Sequence, residues 1–167
     1  MTALLNPDRF EGLVLVDATG YPFKPESVPI GFVIAKLPIL NKLMEGVLPR
    51  SIIESSVKNV YGDPSLVTSE LVDRYFDLTT RTGNRKALAF RLDQMNPGAH
   101  ADRVKELTMP TLIMWGGQDK LIPPAIGSRF HKDISGSELI QFEMLGHVPH
   151  EEDPLRTVAE LKRFLIQ

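Results

Sequence analysis

The chain has 167 residues, of which 43% are hydrophobic, and its 19 Lys and Arg against 21 Asp and Glu give a formal net charge of -2. This length and apolar content suffice for one globular domain with a substantial core. The balanced charge, with no basic block, argues against nucleic acid as a partner. The sequence has no cysteine, which excludes disulfides, thiolate nucleophiles and cysteine-based zinc sites.

No segment of the sequence has the length and uniform apolarity of a membrane-spanning helix. The longest apolar stretch, residues 28–40, is interrupted by Pro29, Lys36 and Pro38 and is too short to cross a bilayer. The first residues lack the basic segment, apolar run and small-residue cleavage site of a secretory signal. We therefore expect a cytoplasmic protein that does not bind a membrane.

Three short apolar runs predict the strands of a parallel sheet. Residues 12–17 (GLVLVD) and 111–115 (TLIMW) are continuous apolar runs, typical of interior strands that are buried on both faces. Residues 138–144 instead alternate apolar and polar side chains, which favours a strand nearer the edge of the sheet.

Residues 20–98, here called the helical block, contain proline and glycine punctuation and several short helical patterns, and no strand is predicted there. Thr68 is predicted to cap one of these helices, and another is predicted over residues 84–95. The helical block is therefore interpreted as an insertion, with residues 1–19 and 99–167 forming the core.

Two further helices are predicted in the last third of the chain. Pro123 and Pro124 suit the first turn of a helix after the second strand, because proline there loses no helical hydrogen bond. Asp153 and Pro154 form an N-cap and first-turn pair for the last helix. The apolar face predicted for that helix consists of Leu155, Val158, Leu161 and Leu165.

An aspartate and a histidine each follow one of the predicted strands. Asp119 ends the motif WGGQD after the second strand, and His147 lies in the motif GHVPH after the third. Because ligands of parallel α/β sheets bind beyond the carboxyl ends of the strands, we expect the two side chains to meet there. A serine nucleophile needs a histidine to accept its proton and a carboxylate to orient that histidine. The sequence thus predicts two of the three parts of a hydrolytic triad.

Other interpretations of these residues stay open. Asp119 alone could be a turn residue that bonds its own backbone, and His147 alone could be a solvated loop histidine. His150 competes with His147 for the catalytic role, and these histidines with residues 151–153 could suggest a metal site. No metal is expected, because no helical HExxH pattern is present, and the three acids suit a helix N-terminus. Asp17 is a candidate site acid, although a strand-terminating turn is the favoured interpretation.

Three segments together resemble the α/β-hydrolase superfamily: residues 6–18, residues 110–119, and Gly146-His147 with residues 152–154. The resemblance covers nearly the whole chain. It implies a partial α/β-hydrolase fold, with a short parallel sheet of about three strands flanked by helices and with the helical block as a cap over the active site. It also implies that Asp119 is the triad acid and His147 the general base, with no cofactor.

The nucleophile of that family has no counterpart in this sequence, which contains no Gly-x-Ser-x-Gly. The family's first five strands and its oxyanion-hole loop are also missing. We expect a hydrolase that acts on a small ester, epoxide, amide or related apolar substrate through a triad of nucleophile, histidine and aspartate. This chain holds only the acid and the base of that triad, so we expect it to be inactive alone. The alternative is a truncated, non-catalytic module for interaction or ligand binding.

A sheet of only three strands would leave an open edge at Leu13–Val16, on the side where the family places its fifth strand. Such an apolar edge invites pairing with another chain. Closed symmetry is the usual way to satisfy a self-complementary surface. We therefore expect a homo-oligomer joined at this strand.

Overall fold

The computed structural model describes residues 2–37 and 48–166. Its centre is a parallel sheet of three strands, β1 (Leu13–Val16), β2 (Thr111–Gly116) and β3 (Glu138–Phe142), which lie in that order. Helices cover both faces of the sheet. The predicted α/β class with a short parallel sheet is confirmed.

Strand β2 is the centre of the sheet and is buried along its whole length. Its residue Ile113 lies opposite Leu15 of β1 and Leu139 of β3. This register brings the carboxyl ends of the three strands to the same edge of the sheet, as parallel pairing requires. The loops that leave those ends therefore meet in space.

Strand β1 differs from its sequence prediction. All four of its residues are only half-buried, and it pairs with β2 alone among the described residues. The apolar run predicted an interior strand, but half-burial follows because no described strand lies on its other side. The open edge expected at Leu13–Val16 is present in the described part of the chain.

Strand β3 lies at the opposite edge, as its alternating pattern predicts. It ends at Phe142 rather than at Met144, whose side chain is exposed. The chain turns immediately after the strand, because the amide of Leu145 donates to the carbonyl of Phe142 at 3.0 Å. The predicted alternation therefore stops two residues early.

Eight α-helices occur in the described residues. They are α1 (Thr2–Leu5), α2 (Ile30–Ala35), α3 (Arg50–Val60), α4 (Ser69–Thr80), α5 (Asn84–Asp93), α6 (Pro124–Asp133), α7 (Pro149–Glu152) and α8 (Pro154–Leu165). Short 3₁₀ turns lie at Pro7–Arg9, Pro64–Leu66 and Ala101–Glu106.

The helical block contains α2 to α5 and no strand within residues 20–37 and 48–98. The predicted cap at Thr68 is confirmed, because its hydroxyl accepts from the amide of Leu71 at 3.2 Å. The predicted interruption at Pro38 lies outside the described residues. No helix in the described residues is long and apolar enough to span a bilayer. The domain boundaries at residues 19 and 98 stay a prediction.

Helix α6 covers one face of the sheet, and its first turn is formed by proline as predicted. Its Ile126 and Phe130 join the main core, together with Ile113 and Trp115 of β2. The ring of Trp115 is fully buried, and its Nε1 donates to the carbonyl of Ile122 at 3.0 Å. Trp115 is thus a core residue, as predicted.

Helix α8 lies on the other face and begins as predicted, because the Asp153 carboxylate accepts from the amide of Arg156 at 3.1 Å. Its Phe164 packs against Leu112 and Phe142 of the sheet. The predicted apolar face is only partly buried: Leu161 is half-buried, whereas three members of that face are exposed, namely Leu155, Val158 and Leu165. No described element covers these three side chains.

Candidate active site

The two residues predicted to meet at the strand ends do meet. Asp119 lies in the loop after β2 and His147 in the loop after β3, and Oδ2 of Asp119 is 2.9 Å from Nδ1 of His147. Asp119 is 2% exposed, whereas the side chain of His147 is 23% exposed. A buried carboxylate thus faces an imidazole that still reaches the surface, as a base that serves a bound substrate must.

The carboxylate of Asp119 is fixed from both of its oxygens. Oδ1 accepts from the amides of Leu121 at 2.8 Å and Ile122 at 2.9 Å. This is the turn geometry that the alternative interpretation predicted, and it coexists with the bond to His147. Two amide donors on Oδ1 leave Oδ2 as the acceptor for Nδ1–H, so Nε2 of the imidazole is available for a reacting proton.

The loop that carries His147 is attached to the helical block through its backbone. The amide of His147 donates to the carbonyl of Val60, at the end of α3, at 2.8 Å. A Cβ on Gly146 would overlap the backbone of Val60 and Gly62, and a Cβ on Gly116 would overlap the carbonyl of Gly146. A Cβ on Gly62 would likewise overlap the backbone before Gly146. Gly62, Gly116 and Gly146 therefore allow the end of α3, the end of β2 and the histidine loop to touch.

Glu152 closes this junction. Its carboxylate accepts from the amides of Gly146 at 2.6 Å and Gly62 at 2.8 Å. Burial raises the pKa of Glu152, and the hydrogen bonds from the two amides oppose that rise. From the sequence, Glu152 was interpreted as an acid at a helix N-terminus. In the structure, its carboxylate bridges two loops that are far apart in the chain.

Glu151 makes a second bridge to the helical block. Its carboxylate accepts from the phenol hydroxyls of Tyr61 at 3.3 Å and Tyr75 at 3.1 Å, and it forms an ion pair with Arg74. Burial, followed by the charge of Glu151, raises the pKa of Tyr75 to about 12. Tyr75 therefore remains a proton donor to Glu151 at all ordinary pH values.

Asp17 lies closer to the candidate pair than the sequence interpretation suggested. It follows β1 with φ of +41°, in the left-handed region that aspartate tolerates. The carboxyl group is nevertheless buried beside the candidate pair: one ligand-type atom each from Asp17, Asp119 and His147 lie within 4.8 Å of one another. The parallel register of β1 and β2 predicts this proximity, because Asp17 and Asp119 both follow the carboxyl ends of adjacent strands.

His150 is not part of this group. It is exposed on the short helix α7, one turn past His147. Among the described residues, the cluster with metal-ligand spacing is Asp17, Asp119 and His147, not the histidines with residues 151–153. Asp153 instead caps α8. The structure thus selects His147 over His150 as the partner of Asp119.

The described part of the helical block contains an apolar cavity of about 160 Å³. Its walls come mainly from α2 and α3, including Phe32, Ile53 and Val57, and Tyr75 contributes from α4. Val60, whose carbonyl binds the amide of His147, also lines it. The cavity therefore adjoins the segment that holds the histidine loop.

A family model described as the α/β hydrolase fold matches residues 1–154. Because this match covers most of the chain, the chain belongs to the α/β hydrolase family.

Two relatives that carry the names of hydrolases are longer than this chain. The chain is 27% identical over 152 residues to the uncharacterized hydrolase YugF of Bacillus subtilis, covering 91% of this chain and 55% of the relative. It is 25% identical over 150 residues to a pimeloyl-(acyl-carrier protein) methyl ester esterase of Neisseria meningitidis, covering 88% of this chain and 57% of the relative. The chain thus spans a little over half the length of these relatives.

Solved structures show the same fold. The meta-cleavage product hydrolase CumD of Pseudomonas fluorescens IP01 superimposes with a TM-score of 0.79 and 23% identity, over 98% of this chain and 58% of that one.

Proposed function

We propose that this chain supplies the acid and the base of a hydrolytic triad, with Asp119 orienting His147 and His147 moving the proton of a nucleophile. The observation that carries this proposal is the 2.9 Å contact between Oδ2 of Asp119 and Nδ1 of His147. The buried carboxylate selects the tautomer with a proton on Nδ1 and stabilises the imidazolium that forms when Nε2 accepts a proton.

The helical block is the proposed cap. It adjoins the histidine loop through the bond from the His147 amide to Val60, and it contains the apolar cavity beside that contact. An apolar cavity with few polar groups suits a small apolar acyl or alkyl group. The proposed substrates are therefore small esters, epoxides, amides or related apolar compounds, and the methyl ester esterase among the relatives supports the ester.

The nucleophile and the oxyanion donors of this reaction come from outside residues 1–167. The sequence contains no Gly-x-Ser-x-Gly, and the chain spans a little over half of the relatives that it matches. Removing one oxyanion donor alone typically costs about 10²–10³ in rate. The isolated chain is therefore proposed to be inactive.

Acylation of His147 by diethyl pyrocarbonate tests the acid–base pair without any nucleophile. At about pH 8, above the ordinary pKa of imidazole, we expect His147 to be modified at Nε2 and Asp119→Asn to slow this modification by roughly tenfold, because the carboxylate that stabilises the positive charge developing on the ring during attack is lost. Peptide mass spectrometry measures both rates. The exposed His150 is the internal control and should react equally in both proteins. Equal or faster modification of His147 in the variant would contradict the pairing.

The second candidate function is a non-catalytic module that pairs through the sheet edge. Two observations favour it: β1 is half-buried and open on one side in the described residues, and a groove of about 690 Å³ lies beside Leu13 and Leu15. The exposed apolar side chains of Leu155 and Val158 add to the uncovered surface. The proposed partner is a second copy of the chain, joined at Leu13–Val16.

Val14→Pro should convert this proposed dimer to a monomer. The amides of Leu13 and Asp17 donate to the carbonyls of Pro110, just before β2, and Met114 of β2, so the alternating amides of Val14 and Val16 face the open edge. Proline at Val14 therefore removes one outward donor without removing a hydrogen bond to β2. Light scattering at micromolar concentration measures the mass, against 18.7 kDa for one chain.

Leu15→Pro is the matched control, because it removes a donor to β2 and should unfold the chain. A wild-type chain that is monomeric at micromolar concentration would contradict the proposed dimer.

A further inference from the structure

Asp17 is a buried carboxyl group that the proposed triad does not use. The residue is 5% exposed, and its Oδ1 accepts from the amide of Gly116 at 2.9 Å. Oδ2 is also buried and has no hydrogen-bond partner among the described residues. Burying a charged carboxylate oxygen without a hydrogen-bond partner costs free energy. This cost is avoided if Oδ2 carries a proton and donates it in a hydrogen bond.

The acceptor is present next to it. One ligand-type atom each of Asp17, Asp119 and His147 lie within 4.8 Å of one another, and besides burial, a side-chain hydrogen bond with Asp119 is among the causes that raise the pKa of Asp17. Burial raises the pKa of Asp17 to about 9; the amide of Gly116 opposes this rise, and the charges of Asp119 and Glu152 add to it. Because Oδ1 already accepts the amide of Gly116, the proton belongs on Oδ2.

We propose that Asp17 is a positioning residue, which stays protonated and donates a hydrogen bond from Oδ2 to the carboxylate of Asp119. Asp119 then accepts from two amides, from His147 and from Asp17, so that these four donors fix its orientation toward the imidazole.

The charge balance around Asp17 explains why it must be neutral. The titratable groups that face it are Asp119 after β2, His147 after β3 and Glu152 of α7. Two of these three groups are acids. Ionisation of Asp17 would place a second negative charge beside Asp119, so above the pKa of Asp17 the two carboxylates should separate and loosen the bond to His147.

The first test follows the Nδ1 proton of His147 and the carboxyl carbons of aspartate by NMR, with the chain titrated from about pH 5 to pH 11. The Asp17 carboxyl signal, assigned by its absence in Asp17→Asn, should titrate near pH 9, as its raised pKa predicts. The Nδ1 proton signal of the wild-type chain should be lost over the same range. Asp17→Asn, which keeps a donor but cannot ionise, should retain that signal to higher pH.

Asp17→Leu tests the donor itself, because leucine has a similar size and no hydrogen to donate. The exchange rate of the Nδ1 proton should rise about tenfold, as expected for the loss of one hydrogen bond. Asp8→Asn, at an exposed position, is the control for a lost acid and should change neither signal. If the leucine variant does not fold, the comparison of wild type with Asp17→Asn still decides the proposal.

Stability measured against pH gives a third readout. The folded chain keeps a proton on Asp17 that the unfolded chain releases above about pH 4, so the free energy of unfolding should fall as pH rises from about 4 to about 9 and then level off, since the folded-state pKa of Asp17 is about 9. In Asp17→Asn, residue 17 is uncharged in both the folded and the unfolded chain. The free energy of unfolding of this variant should therefore lack the part of the decline that Asp17 causes.

The importance of Asp17 for catalysis rests on the proposed acid–base pair, whereas its protonation and its hydrogen bond to Asp119 do not. An Asp17 signal that titrates near pH 4, or an Nδ1 proton lost equally in Asp17→Asn, would overturn the proposed role of Asp17 while leaving the Asp119–His147 pair intact. Stabilisation of the wild type by Zn²⁺ that Asp17→Asn abolishes would also overturn it, because a metal requires both carboxylates to be ionised.

Discussion

Asp119→Asn should lower kcat for p-nitrophenyl butyrate by about 10⁴-fold in a protein that unites this chain with the nucleophile-bearing half of the fold. Asparagine keeps the shape of the carboxylate but stabilises the wrong tautomer of His147 and provides no charge for the imidazolium. His147→Ala should cause a loss of similar size, because the proton then has no acceptor. The DNA upstream of the Met1 codon, read in frame, shows whether that half is encoded with this chain.

His150→Ala is the matched control for His147→Ala, since His150 is exposed and lies outside the cluster of Asp17, Asp119 and His147. Its kcat should stay within about twofold of the parent protein, because substitutions at exposed positions without contacts have small effects. The isolated chain should show no turnover that depends on Asp119 or His147. Turnover of the isolated chain that either variant abolishes would refute the assignment of the nucleophile to another segment.

Gly116→Ala should lower the free energy of unfolding by more than about 4 kcal/mol, which is among the largest effects of a single substitution. The new Cβ would overlap the carbonyl oxygen of Gly146, and both atoms belong to segments that cannot move freely. Gly116 ends the central strand, and Gly146 is fixed by Glu152. Urea unfolding measures the loss, and Asp119 and His147 should separate in any variant that does fold.

Gly12→Ala is the control, because a Cβ there meets the ring of Phe164 at 3.4 Å, an ordinary contact. We expect its free energy of unfolding to change by less than about 1 kcal/mol. A Gly116→Ala variant as stable as Gly12→Ala would mean that the end of β2 and the histidine loop are farther apart than the structure shows.

Most of the fold was predictable because its signals are local. The continuous apolar run before Gly116 predicts β2, and the caps at Thr68 and Asp153 predict the starts of α4 and α8. Helix α3 was not predicted individually, because Arg50–Val60 begins without a capping side chain that would mark its start. Each correct prediction depends on a few neighbouring residues, such as a capping side chain and the amide three residues on.

The candidate site was predictable in part. The order of Asp119 and His147 after successive strands predicts their meeting, since parallel pairing brings strand ends to one edge. The contacts of Asp17 and Glu152 could not be predicted, because each depends on a partner far along the chain. The partner of Asp17 is Gly116, and that of Glu152 is Gly62. One signal for Asp17 was available in the sequence, because Asp17 and Asp119 each follow a predicted strand and those strands were predicted to lie in one parallel sheet.

By itself, the sequence determined the α/β class, the three strands, the starts of α4, α6 and α8, the family resemblance and the acid–histidine pair, because these depend on periodicity, caps and motif order among neighbouring residues. Only the tertiary structure decided that the residues of β1 are half-buried, that the apolar face of α8 is largely uncovered by the described residues, and that Asp17 lies near Asp119. Burial and long-range hydrogen bonds depend on which elements pack together, and that choice is made by the sum of many weak contacts across the chain rather than by any local pattern.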